Sequence, residues 1–184
     1  YQPDFVVVDF SVNDVDNIYC EETFEGVLRT LLGWSSRPAV VVLNNVFYDT
    51  GVSTQDIHNR LADHYGVPHV SVHDTIYRRM KAGEYNRIDI TPDGLHPNDK
   101  GHGLVAGEIT KFLERIMDDL IQDENLADDS NTDTADAGAD TENDIQDESA
   151  CSCVLPAPVS ANAYEYAKRL TIREICPKLS GFRA

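Results

Sequence analysis

Two short β-branched runs constrain the chain most. One is Phe5-Val-Val-Val-Asp-Phe10, ended by Ser11 and apolar without interruption from Phe5 to Val8; the other is Ala39-Val-Val-Val-Leu43. A strand with one wet face alternates apolar and polar side chains. A strand that is apolar throughout is covered on both faces, as in a parallel sheet sandwiched between helices. The segments between supply the helices. From Glu21 to Gly33, the residues Phe24, Val27, Leu28, Leu31 and Leu32 recur at helical spacing, acids sit in the first turn, and Gly33 is a natural stop. Trp34 is expected to anchor behind this helix. Ser53 or Thr54 caps a second helix reaching His64 or Tyr65, with Ile57, Leu61 and Ala62 inward. Gly66-Val-Pro68 turns into a third strand, His69 to Val72. A short helix over Asp74 to Ala82, a loop from Gly83 to Pro97 and a helix from Asn98 or Asp99 complete the pattern. That last helix carries Leu104, Val105, Ile109, Phe112, Leu113 and Ile116 toward the core. Strands alternating with helices predict an α/β fold, with a parallel sheet of about three strands and helices on both faces.

The charge of −17 is local rather than general. Thirteen of the 32 acids lie between Asp118 and Glu148, and no Lys or Arg occurs from Ile116 to Ala167. Without those 13 the balance is −4. Three regions are therefore expected: a folded domain over 1–117, an acidic, disordered linker over 118–150, and the truncated start of a second module over 151–184. The last is too short to form a core unaided. The acidic stretch does not match a glycine-containing calcium loop and reads as a spacer. Neither part presents the basic face that nucleic acid requires, and an anionic membrane would repel the chain. No apolar run approaches a bilayer span, and no signal-like segment opens the chain.

The four cysteines, Cys20, Cys151, Cys153 and Cys176, form no pair of CxxC motifs and read as ordinary thiols. Asp93, His96, Asp99 and His102 make a poor metal set, because half of them face away once a helix starts at Asn98. No metal or other cofactor is expected. His58, His64, His69 and His73 lack a ligand-like partner at useful spacing and read as structural or exposed.

In open parallel sheets the chemistry sits beyond the carboxyl ends of the strands. Two polar segments fall there. One is Ser11-Val-Asn13-Asp14, after the first strand; the other is Asp93-Gly-Leu-His96-Pro-Asn98, before the last helix. Asp93 stands three residues before His96 in a loop punctuated by Pro and Gly. This spacing can set a carboxylate on one imidazole nitrogen and leave the other free to act as a base. Taken singly, Asn13 also fits a turn or cap, Asp93-Gly94 a plain turn, and His96 a loop histidine. His102 reads as a surface or packing residue.

Together, in this order, Val7-Val-Asp-Phe-Ser-Val-Asn-Asp14 and Asp93-Gly-Leu-His-Pro-Asn98 resemble the later blocks of the SGNH/GDSL hydrolases, a lipase-like serine esterase family. The resemblance covers residues 1 to about 117. It implies a partial flavodoxin-like, three-layer α/β/α fold. Carried over by position, Asn13 is the side-chain oxyanion donor, His96 the general base and Asp93 its orienting carboxylate. Where the family has Gly, this chain has Ser11. The family's first two blocks have no counterpart: Ser35, Ser36, Ser53 and Ser71 all lack the strand-to-helix context of its nucleophile. The expectation is a chain that begins inside a domain and, lacking the serine, is inactive as an esterase by itself.

The resemblance implies a small-molecule or carbohydrate ester as substrate and a secreted, extracellular setting. The alternative is a non-catalytic carbohydrate- or ligand-binding module, for which Tyr164, Tyr166 and Phe182 are the candidate aromatic residues.

Overall fold

A computed structural model describes residues 2–129 and 154–164, the backbone alone for 123–129. The elements are β1 (Phe5–Val8), α1 (Ile18–Leu32), β2 (Ala39–Asn44), α2 (Gln55–His64), β3 (His69–Ser71), a π-helical turn (His73–Tyr77), α3 (Arg78–Lys81), α4 (Arg87–Ile90) and α5 (Asp99–Asp129). The three strands form one parallel sheet in the order β1-β2-β3. This is the expected α/β architecture.

The β2 run is buried from both sides, because successive side chains point to opposite faces and each face meets its own core. On one face Val8, Val40 and Val42 pack against Phe24, Leu28 and Leu31 of α1 and Leu61 and Ala62 of α2. On the other, Val41, Leu43 and Val70 meet Ile76, Ile90 and Val105. Both cores are closed over β2. Over β1 the second is not: Val7, in register with Val41, is 41% exposed, and Phe5 and Phe10 are exposed too. β1 is thus an apolar edge strand.

Helix boundaries follow their caps. α1 starts three residues before the expected Glu21 because the Asn17 side chain accepts from the Tyr19 and Cys20 amides. At α2, Thr54 occupies the cap position but spends its hydroxyl elsewhere, donating to the Ser11 carbonyl at 2.8 Å. α5 starts where expected: Asn98 accepts from the Gly101 amide at 3.0 Å.

Several expectations need correction. The loop from Gly83 to Pro97 contains α4, where Asp89 reaches back to the Asn86 amide at 3.3 Å. Trp34 is 40% exposed and anchors little. Leu113 faces solvent, because α5 leaves the sheet after Phe112. α5 also continues through 118–129, where an unstructured linker was expected; Leu, Ala, Gln and Glu are good helix formers there, and helix propagation from an existing turn is easy. Most of that linker, 130–150, lies outside the described residues, as do 151–153 and 165–184. So do Tyr166 and Phe182 and the cysteines other than Cys20.

The described part of the last region, 154–164, folds back onto the first. Glu25, fully buried on α1, accepts hydrogen bonds from the Val159 amide at 2.6 Å, the Ser160 amide at 2.8 Å, the Ser160 hydroxyl, and the Tyr65 hydroxyl at 2.5 Å. Arg29 donates to the Pro156 carbonyl at 2.7 Å, and His64 Nε2 to the Ala157 carbonyl at 2.8 Å. Burial opposes charge on Glu25, but the converging donors outweigh it and hold its pKa below the usual carboxylate value.

Candidate functional site

The two polar segments meet. Asn13 and His96 line one cleft of about 260 Å³ beyond the carboxyl ends of β1 and β2, together with Asp9, Asn45, Leu95 and His102. A larger, open hollow of about 520 Å³ between α3 and α5 is lined by Asp74, Arg78, Arg79, Glu108 and Lys111 and lacks this combination.

The His96 side is built locally. Asp93 Oδ1 accepts from the Leu95 and His96 amides at 2.9 and 2.8 Å, which winds the loop around the carboxylate. Its Oδ2 accepts from His96 Nδ1 at 2.7 Å. A carboxylate only accepts, so Nδ1 carries the proton and the lone pair of neutral His96 lies on Nε2, which has no partner among the described residues. The His96 ring, then the His96 and Leu95 amides, hold the Asp93 pKa far below the ordinary carboxylate value. Thr91 braces the turn by accepting from the Gly94 amide at 3.0 Å. Gly94 is required: its φ is +81°, and a Cβ there would strike the Asp49 carboxylate, itself paired with Arg87 at 3.0 Å.

The Asn13 side is built from distant residues. The Asn13 and Asp14 amides both donate to the Phe10 carbonyl, closing a turn at the end of β1. Ser11, 1% exposed, donates to the Asn45 carbonyl at 2.9 Å, and its own carbonyl accepts from the Thr54 amide and hydroxyl. A glycine at position 11 would lose the first of these ties. Ser53 donates to the same Asn45 carbonyl. The loops after β1 and β2 are further joined by the Asn45 amide, which donates to Asp9 Oδ2 at 2.8 Å. Asp9 keeps an open edge, yet partial desolvation lifts its pKa, with the Asn45 bond pulling the other way.

The side chains of Ser11, Ser53 and Ser71 are committed to the Asn45 carbonyl and Gln55, and no serine lines the cleft among the described residues. His102, read from sequence as surface or packing, is an exposed residue that also lines the cleft. Asp9 and Asn45 were missed; Asp9 directly follows Phe5–Val8 and Asn45 stands two residues past Leu43, and such polar residues closing an apolar run are the signal that points to strand ends.

His58 is also not solitary. Its Nε2 lies 2.9 Å from Asp14 Oδ2 and 3.7 Å from Cys20 Sγ, and Cys20 Sγ lies 3.9 Å from Asp14 Oδ2. Among the described residues, these three form the one group of three potential metal ligands; Asp93, His96, Asp99 and His102 form no such group. Burial and then the Asp14 charge push the Cys20 thiol up to about 11.

No family model matches the chain, and no curated protein matches it. Solved structures do. A two-domain esterase (CEX) active on acetylated mannans, co-crystallised with mannopentaose, is 38% identical with a TM-score of 0.69, over 90% of this chain and 36% of that one. A second structure of a two-domain esterase (CEX) active on acetylated mannans is 40% identical with a TM-score of 0.67, over 89% of this chain and 37% of that one. The chain thus shares the fold of part of an esterase and spans little more than a third of the length of these structures.

Proposed function

We propose that this chain is the oxyanion-and-base portion of an SGNH/GDSL-type serine esterase that deacylates acetylated carbohydrate, a mannan above all. The observation that carries the reading is the shared cleft, where the Asn13 amide and the His96 imidazole, backed by Asp93, face one space. Residues outside these 184 would supply the nucleophilic serine. Two observations favour that: no described serine lines the cleft, and the exposed Phe5, Val7 and Phe10 leave an apolar flank where further strands would pack.

The chemistry is acyl transfer to water. His96 Nε2 takes the serine proton as the serine oxygen bonds to the acetyl carbon. The carbonyl oxygen becomes an oxyanion, and the Asn13 amide donates to it. Such a donor is typically worth about 3 kcal/mol of barrier. Asp93 stabilises the imidazolium. The tetrahedral intermediate then breaks its bond to the sugar oxygen, which leaves with the proton from His96. Water repeats the cycle on the acyl-serine, releasing acetate. A cleft of about 260 Å³ is smaller than pockets that enclose whole ligands, and it suits an acyl group with the sugar outside. Asp9, Asn45 and His102 offer polar partners for sugar hydroxyls at its rim. A polysaccharide substrate in turn fits the secreted setting that the resemblance implies.

The test is to introduce Asn13→Ala and His96→Ala separately into the protein that carries the serine. Acetate release from acetylated mannan should fall by two or more orders of magnitude in each. Unchanged release in both defeats the assignment. A Gly-Asp-Ser segment encoded ahead of Tyr1 is expected, and a coding sequence without one favours the binding-module alternative.

A further inference from the structure

We propose that Asp14 and His58 are positioning residues that hold Asn13 at the cleft, an inference that rests on Asn13 being the oxyanion donor. Among the described residues the Asn13 side chain has no hydrogen-bond partner, so its amide is aimed by the backbone of the turn that carries it. Ser11, two residues before Asn13, ties the start of that turn to the α2 cap through Thr54, and Asp14, the residue after Asn13, ties its other end to α2 through the 2.9 Å bond to His58 Nε2. A carboxylate accepts only, so Nε2 carries the hydrogen and Nδ1 is left with a bare lone pair.

That leftover nitrogen is informative. His58 is fully buried, stacked on Phe24 with ring centroids 3.7 Å apart and 8° between planes, and Nδ1 has no hydrogen-bond partner among the described residues. An orphaned polar atom in a core is costly, and a leucine would pack there without one. The imidazole is therefore useful at this place through its bond to Asp14. Burial, opposed by Asp14, also disfavours its charged form.

Cys20 completes the cluster, but the surroundings suit a hydrogen-bonded buttress better than a cation. A metal-bound histidine normally donates its second nitrogen to an acceptor, and Nδ1 has none among the described residues. Cys20 is also the third residue of α1, whose amino-terminal end carries partial positive charge.

The test uses the protein that carries the serine, with p-nitrophenyl acetate as probe. His58→Leu removes the donor at similar volume, and His58→Gln can return an amide N–H close to the position of Nε2. His58→Leu is expected to lower kcat at least tenfold with KM within twofold, because a small displacement of an oxyanion donor removes much of its effect. His58→Gln should recover most of that loss. Asp14→Ala and the Asp14→Ala/His58→Leu double variant should be equally impaired. Added to Asn13→Ala, His58→Leu should cost less than threefold more. An equal further loss in the Asn13→Ala background, or an unchanged kcat in His58→Leu, overturns the positioning role. Asn13→Ala without effect removes the oxyanion role on which this inference rests, and the same result in His96→Ala as well overturns the esterase reading itself. In the 184-residue chain, ¹⁵N spectra should show His58 as the neutral Nε2–H tautomer. Zinc that raises the melting temperature of this chain but not of Cys20→Ala would replace the buttress with a metal site.

Discussion

Glu25→Gln offers a direct test of how 154–164 is held. The carboxylate receives four donors: two backbone amides, the Ser160 hydroxyl and the Tyr65 hydroxyl. A glutamine of the same size keeps one acceptor oxygen and turns an NH₂ group toward donors. At least two charge-assisted bonds are lost. At roughly 1.5–3 kcal/mol each, the loss is about 3 kcal/mol or more, which corresponds to a ~100-fold larger open population. The Val159 and Ser160 amides are themselves the reporters, since both donate to Glu25. Their hydrogen exchange should accelerate ~100-fold in the variant, while the β2 amides of Val41 and Val42 should change far less. The pH dependence has a fixed sign. The folded-state pKa of Glu25 lies below its unfolded value, so its contribution is complete above the ordinary carboxylate pKa and is lost as pH falls through the lowered one. Wild type should therefore release the segment in acid, and Glu25→Gln should behave at neutral pH as wild type does in acid. Equal exchange at Val159 and Ser160 in both proteins would refute the argument.

Asp93→Asn should cut kcat by orders of magnitude in the serine-carrying protein, because an asparagine that donates to Nδ1 selects the wrong tautomer; a loss under fivefold contradicts the assigned role. Gly94→Ala should destabilise the chain by about 1–3 kcal/mol, since φ of +81° strains an L residue and the Asp49–Arg87 pair must move; thermal melting measures it. Leu61→Ala, at a side chain with no exposure, should cost about 2–5 kcal/mol by urea titration. Cys20, with its thiol pushed up to about 11 and its side chain buried, should resist iodoacetamide at pH 8 in the native state and react in denaturant, as peptide mapping would show.

What could be read from sequence was local or periodic. β1 and β2 announce themselves because an apolar run needs cover on two sides, and Asp93 with His96 because three residues and a turn bring them together. Ser11 with Asn45, Asp14 with His58 and Glu25 with Ser160 were not legible. Their partners lie 34, 44 and 135 residues apart, and only the crossing of elements in space makes them neighbours. α4 was missed for a different reason: four residues give no period to detect. The extension of α5 was missed because acidic composition was weighed above the helix-forming residues within it.

The uncovered flank of β1 sets how the isolated polypeptide behaves as a colloid. Open backbone groups beside Phe5 and Val7 invite pairing between copies, while a net charge of −17 keeps copies apart. At 0.01 M salt the repulsion reaches about 30 Å; at 1 M it is screened within about 3 Å. Light scattering should thus show a dispersed chain in dilute buffer and growing particles in concentrated salt, so purification by salting out would select for the stacked form.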